Sequence, residues 1–334
     1  MGRARSAIRA SAWVLVAVGV AAPLVRRRVR APALAIQLAA FGAPLGLSVA
    51  LRRSRTRDVA VCALHMWAYV LAYKSPHDDE QAQAERVHVD YPIALDRALG
   101  LGELPTVRLQ RALASSGEWR ALDRVLVWTH WSWMLAPNAA LAYILWRNPR
   151  RFPRAAALTY AVFDLGACVY WLAPTAPPWY AAELSAREPR GEPRDGEQGE
   201  LLGEPRGERG GGELVVRRMM AEYGEFFWQD GWTRLYSVFG GNPLAAMPSL
   251  HFATSLMSAH LLAEHGRLEG ALALLYTLTL GFALVYLGEH YVVDLLAGVA
   301  LVEAVRRGAP RAGPPIGRLG RAVGTLEAIA HESG

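Results

Sequence analysis

Cysteine is almost absent from this 334-residue chain: Cys62 and Cys168 are the only two. A disulfide-stapled scaffold is thereby excluded. Both lie inside apolar stretches, where each is expected to act as a small buried apolar residue. Lysine is scarcer still. Lys74 stands alone, so arginine carries the net charge of +6. The arginines are spread among loops between apolar runs and form no single basic face, which argues against nucleic-acid binding. There is no internal repeat of the kind that builds the two halves of a transporter. Hydrophobicity, by contrast, is abundant: 52% of residues are hydrophobic, mean hydropathy is +0.13, and long apolar runs recur. The expected fold class is therefore all-α, a polytopic transmembrane helical bundle.

Apolar runs occupy roughly 12–25, 32–51, 58–74, 121–146, 155–173, 249–264, 270–288 and 290–306, about eight spans in all. They divide the chain into N-terminal membrane helices (1–57), a catalytic membrane domain (58–306) and a cytoplasmic tail (307–334). The first run is short, follows Arg3, Arg5 and Arg9, and is followed by the basic stretch 26–30. A retained signal-anchor helix at 12–25 is expected. A cleaved signal peptide ending near Ala31-Pro32-Ala33 is the alternative.

The arginine-rich loops 52–57, 147–154 and 306–321 are expected in the cytoplasm. Alternation then sets 75–120, 174–248 and the turn at 288–290 on the extracytoplasmic side of the plasma membrane; only 26–30 breaks the rule. Residues 75–120 mix apolar residues with spaced charges, as amphipathic helices on a membrane surface do. Residues 187–214 repeat Gly-Glu-Pro-Arg and are dense in Gly and Pro, so this insertion cannot bury a core and is expected to be disordered. The aromatic segment after it is expected at the membrane edge, where Trp228 and Trp232, with Trp179, either guide a lipid tail or anchor the protein.

The chemistry concentrates between Gly240 and Gly298. Two polar clusters, Pro248-Ser249-Leu250-His251 and His290-Tyr291-Val292-Val293-Asp294, flank mostly apolar sequence. A helix from His251 to His265 rises about 21 Å, and one from Gly270 to Gly288 rises about 27 Å. The short link between them predicts an antiparallel pair that returns His290 to the side of His251. On a helix, His290 and Asp294 share a face at i, i+4.

Such a set suits phosphoryl transfer through a covalent intermediate. A carboxylate at Asp294 fixes the tautomer of His290 so that its other nitrogen can attack phosphorus. His251 is suited to protonate the leaving oxygen. Pro248-Ser249 opens a helix whose free amides favour an anionic phosphate, with the Ser249 hydroxyl as a further donor. Ionisable groups this close to apolar spans tend to mark function.

These two motifs resemble the type 2 phosphatidic acid phosphatase superfamily, and more closely its inositol phosphorylceramide synthase-like branch, in which Leu stands where Gly is common. Leu172-Ala173-Pro174-Thr175-Ala176-Pro177-Pro178-Trp179-Tyr180 looks like the same branch. The resemblance implies a six-helix phosphatase-like core and a metal-independent mechanism without a cofactor. It also implies a phosphohistidine at His290, an orienting Asp294, an acid at His251 and a phosphate contact at Ser249. Two departures stand out. The superfamily's Lys-x6-Arg-Pro motif is missing, since no Arg-Pro dipeptide occurs, and Ala283-Leu284 replaces the usual Ser-Arg before the nucleophile.

Another residue must therefore supply positive charge. Lys74, at an expected outer helix end, is the leading candidate, followed by Arg217, Arg218 and Arg234. Pro177 and Trp179 fall at the same membrane face as the two motifs and join the expected substrate site. His65, His130 and Asp164 each lie nine or ten residues inside an expected span, at one depth. They are expected to form a buried polar cluster that, Asp164 included, binds a polar part of the substrate or supports the site from beneath. Separate structural hydrogen bonds are the plainer alternative.

The reading that results is a membrane phosphotransferase or phosphatase acting on a phospholipid or another lipid phosphate. By its likeness to the synthase-like branch, it would transfer a phospho-head group such as phosphoinositol to a lipid alcohol. A simple lipid phosphate or diphosphate phosphatase, a transporter, and a non-catalytic lipid-binding protein are the alternatives.

Overall fold

A computed structural model describes residues 2–26, 28, 32–75, 81, 83, 85–115, 118–187, 215–239 and 242–331. The insertion expected to be disordered lies, but for Arg187, outside the described residues.

The described residues are helical, without a β-strand. The N-terminal helices are α1 (Gly2–Val25), α2 (Ala33–Ala50) and α3 (Arg55–Lys74). Two short amphipathic helices follow, α4 (Asp90–Leu99) and α5 (Pro105–Leu113). Next come α6 (Ala121–Ser132), α7 (Ala136–Arg147), α8 (Phe152–Leu172) and α9 (Pro178–Arg187). The last group is α10 (Met219–Trp228), α11 (Asp230–Phe239), α12 (Leu250–Ala263), α13 (Arg267–Tyr286) and α14 (Val292–His331).

Four helices are long and apolar enough to cross a membrane: α1, α2, α8 and α13. The chain is thus an integral membrane protein, but length and apolarity do not reach the expected count of about eight spans. One reason is local. The expected span at 121–146 is two 12-residue helices separated by a turn at 133–135. Pro137 cannot donate a hydrogen bond to the carbonyl of Trp133, and its ring clashes with a continuous helix there. Another reason is that α12, at 14 residues, rises only about 21 Å.

Helix α8 is the hub. Phe163, Ala167 and Tyr170 on α8 share one core with Leu250, Ala253 and Met257 of α12, Ile144 of α7, Tyr69 of α3 and Val302 of α14. At one end of the bundle, Arg151 and Arg154 bond Glu264, and the Tyr143 hydroxyl donates to Glu269 at 3.1 Å. The opposite end gathers the C-terminal ends of α3, α8 and α13 and the N-terminal ends of α12 and α14. There, isolated parallel bridges join His88 to Thr175 and Thr175 to Ala245. Tyr170 donates to the carbonyl of Pro248 at 2.6 Å, fixing the approach to α12.

Two expectations change at the edges. Residues 307–334, read as a tail, continue α14 as far as His331. This extension docks where α2 meets α3, with Arg57 paired to Glu327 at 2.6 Å and the His331 ring against the carbonyl of Val49 at 3.1 Å. Cys168, expected to be buried, faces outward from α8, and Cys62 is half-buried. An apolar outer surface is the low-energy state in lipid, so an outward-facing thiol needs no partner there.

The end of α13 sets the geometry of everything after it. The Glu289 amide reaches back to the Leu284 carbonyl at 3.0 Å and the Gly288 amide to Val285 at 3.2 Å, a Schellman pattern. It requires a left-handed residue, and Gly288 supplies it at φ +83°. A Cβ at this position would also lie 2.6 Å from the Arg217 carbonyl. Gly288→Ala is therefore expected to lower stability by at least about 1–2 kcal/mol in thermal denaturation of the purified protein. An unchanged melting temperature would refute this role for the turn.

Candidate active site

The Schellman turn releases the chain at Glu289, and α14 does not begin until Val292. His290 therefore lies in a turn and not on a helix. Its neighbour Asp294 is in the first turn of α14, where it reaches back to accept from the Tyr291 amide at 2.9 Å. This is half of a capping box. The same oxygen, Oδ2, lies 3.1 Å from His290 Nδ1. The pair forms through the capping of α14, not through the i, i+4 helical face that the spacing suggested.

A second carboxylate supports this helix start. Asp96 of α4 is fully buried and accepts from the Val293 amide at 2.9 Å. The carbonyl of Asp294 in turn accepts from the Ser249 amide at 3.0 Å, which ties the starts of α12 and α14 together. Ser249 is the N-cap of α12, and its hydroxyl oxygen accepts from the Phe252 amide.

His251 thus projects from the first turn of α12 towards His290, and its Nδ1 is 3.2 Å from His290 Nε2. Asp294, wholly buried, is acceptor-only when ionised, so it favours a proton on His290 Nδ1. Nε2 is then left with its lone pair, facing His251. Rings from α6 and the turn after it close over His251. His130 stacks on it at 5.0 Å between centroids, and Trp133 lies at 4.1 Å with its indole N–H donated to Thr254 at 2.9 Å.

A cavity of about 760 Å³ opens beside the two histidines. His251, His290, Lys74, Pro177 and Trp179, all singled out from the sequence, line it together. Asp294 sits behind His290. Ser249 is fully buried and is not among the lining residues. Arg218 lies on the wall, its guanidinium 3.5 Å from the centre of the Trp179 ring and 3.4 Å from the Glu289 carboxylate. Arg217 is engaged elsewhere: it bonds Glu222, which holds its guanidinium above the usual value, and the Ser115 carbonyl. Arg234 is exposed on α11 and does not line the cavity. Trp128, Trp131, Trp228 and Trp232 complete a largely aromatic wall.

The expected cluster of His65, His130 and Asp164 divides. His65 bonds Asp164 at 3.1 Å, and neither lines the cavity. His130, at similar sequence depth, belongs with His251. Depth along a span cannot say which neighbour a side chain faces, and the Pro137 break sends the end of α6 to α12. Glu289 and Arg218 carry no spacing signal in the sequence, because ordinary charged residues beside a motif have none.

A family model described as the PAP2 superfamily matches residues 93–305. The chain belongs to the PAP2 superfamily. The match spans α4 to α14, which contain the two histidines, Asp294 and the aromatic wall but not α1 to α3. No curated protein and no solved structure matches the chain. Members of the PAP2 superfamily are phosphatases, and membership supports an enzyme.

Asp96 gives the site a testable pH signature. Burial pushes its carboxyl above the usual carboxylate range; the Val292 and Val293 amides oppose this shift and the neighbouring Asp294 adds to it. A raised value means that folding favours the protonated form. This contribution is full below the ordinary aspartate value of about 4, and it is lost as pH rises through the raised value. Asp96→Asn, which keeps the acceptor and removes the charge, is expected to flatten melting temperature against pH in that window. Asp96→Ala removes the cap and is expected to cost about 1–2 kcal/mol. If Asp96→Asn leaves the pH slope as steep as in the wild type, the assignment fails.

Proposed function

We propose that this PAP2-superfamily protein is a membrane phosphotransferase or phosphatase that acts on lipid phosphate esters through a phosphohistidine at His290. The observation that carries the proposal is the line Asp294–His290–His251 at the wall of one aromatic cavity, with contacts of 3.1 and 3.2 Å. His290 Nε2 attacks phosphorus and a P–N bond forms. The P–O bond to the leaving group breaks, and that oxygen takes a proton from His251. Entry of a phosphate between the rings replaces the direct contact between His251 and His290. In the second half, His251 takes a proton from water or an alcohol, whose oxygen attacks phosphorus and frees His290. Asp294 holds the His290 tautomer and stabilises the cation that forms on the ring. The cycle uses only groups of this chain and is proposed to be metal-independent and free of cofactors.

Lys74 and Arg218 are proposed to supply the positive charge that the missing Lys-x6-Arg-Pro motif would have given. Both line the cavity, and Arg218 is braced by Trp179 and Glu289. The aromatic wall supports exclusion of water and so favours transfer of a phospho-head group to a lipid alcohol. Likeness of the two motifs to the inositol phosphorylceramide synthase-like branch supports phosphoinositol as one such group. Simple hydrolysis of a lipid phosphate or diphosphate is the second reading, and the shared PAP2 membership favours it. Ser249 acts through its backbone position at the head of α12, and Asp164 through its bond to His65, which lies close against Tyr160. The arginine-rich loops 52–57 and 147–154 lie at the bundle end away from His290, which supports a plasma-membrane enzyme with an extracytoplasmic site.

Purified protein incubated with radiolabelled phospholipids is expected to yield an acid-labile phosphoenzyme. His290→Ala abolishes the label and turnover while the protein stays folded. Asp294→Asn is expected to lower turnover on the order of 10³- to 10⁴-fold, as loss of the orienting carboxylate does in comparable triads. Labelled product that survives His290→Ala at wild-type rate would overturn the proposal, and the identity of the product separates transfer from hydrolysis.

A further inference from the structure

His130 is a histidine at the catalytic wall with no hydrogen-bond partner among the described residues. It is nine-tenths buried at 9% exposure, yet neither Nδ1 nor Nε2 has a hydrogen-bond partner among the described residues. A buried polar atom left in this state costs about 1–3 kcal/mol. The near environment offers no obvious structural reason to keep it: His251 stacks on the ring through its face, not through a nitrogen. Phe has nearly the same shape and would fill the position without that cost.

We propose that His130 is a substrate-contacting residue whose ring N–H donates to a non-bridging oxygen of the phosphoryl group during transfer. The proposal rests on the function proposed above and goes beyond it, because neither motif of the active site includes this residue. Two observations support it. His130 lines the cavity that holds His251 and His290. It sits on the last turn of α6, just before the turn at 133–135, where the helix end meets the start of α12 and His130 stacks on His251. Both ring nitrogens are buried as the ring stands, and the second torsion of a histidine side chain is broad, so donation to a bound oxyanion involves a rotation of the ring. A neutral imidazole still carries one N–H and can donate it. It adds a hydrogen bond to a charged oxygen without a further cation beside Lys74 and Arg218. The ligand class is a tetrahedral oxyanion of phosphorus, carried by a lipid ester or mimicked by orthovanadate.

The test compares wild type, His130→Phe and His130→Gln in melting temperature, orthovanadate affinity and turnover of a radiolabelled phospholipid. The expected result is a His130→Phe protein with an equal or higher melting temperature, roughly 10- to 100-fold weaker orthovanadate binding and a similar loss in kcat/KM. His130→Gln, which keeps a donor, recovers part of both. A purely structural histidine would instead give a stability change with binding and turnover at wild-type values, and that outcome overturns the inference while leaving the proposed function standing. A wild-type protein that neither binds orthovanadate nor turns over phospholipid overturns both.

Discussion

The buried carboxylate of Asp294 is the constraint on which the site depends. One oxygen caps the first turn of α14 and, at 3.1 Å, orients the His290 ring. Local folding and chemistry are therefore satisfied by a single group. The helix start cannot form in this way without presenting a carboxylate to the residue just before it. Two donors at Oδ2 offset part of the cost of burying the charge, Oδ1 has no hydrogen-bond partner among the described residues, and Asp96 shares the capping of the same helix.

The remainder of the fold carries that turn to its partner. The Schellman end of α13, with Gly288, brings the chain out of the core at the required angle. The Ser249 amide bonded to the Asp294 carbonyl holds the start of α12 against it, so both imidazoles are fixed by backbone geometry rather than by long flexible side chains. Around them the wall is rich in bulky aromatic rings with few torsions. The two cations on this wall come from segments distant in sequence, α3 and the approach to α10. Charge can thus be supplied from outside the usual motifs.

How far the sequence is legible depends on the kind of signal. The apolar loop-back between residues 249 and 290 is readable because an antiparallel pair with a three-residue link admits one topology. His251, His290 and Asp294 are readable as a set for the same reason. The span count is less so. Hydropathy windows average over Pro137 and see one run at 121–146, whereas the chain breaks there because a missing amide and a ring clash are local events. His65, His130 and Asp164 share one depth, but depth leaves the rotation of each helix open, and rotation decides that His65 meets Asp164 while His130 meets His251.

Composition, apolar runs and two short motifs determine by themselves that this is a helical membrane protein, with a histidine pair and an aspartate brought to one end of the bundle. Those features depend on periodicity and chain connectivity, which are written locally. Tertiary structure decides that the caps at Ser249 and Asp294 meet at one site, and it alone decides that His130 and Arg218 join the cavity wall. Each of those outcomes depends on helix rotation and on contacts between segments distant in sequence. No local pattern encodes them, because the same residues satisfy the same periodicity whichever neighbour they meet.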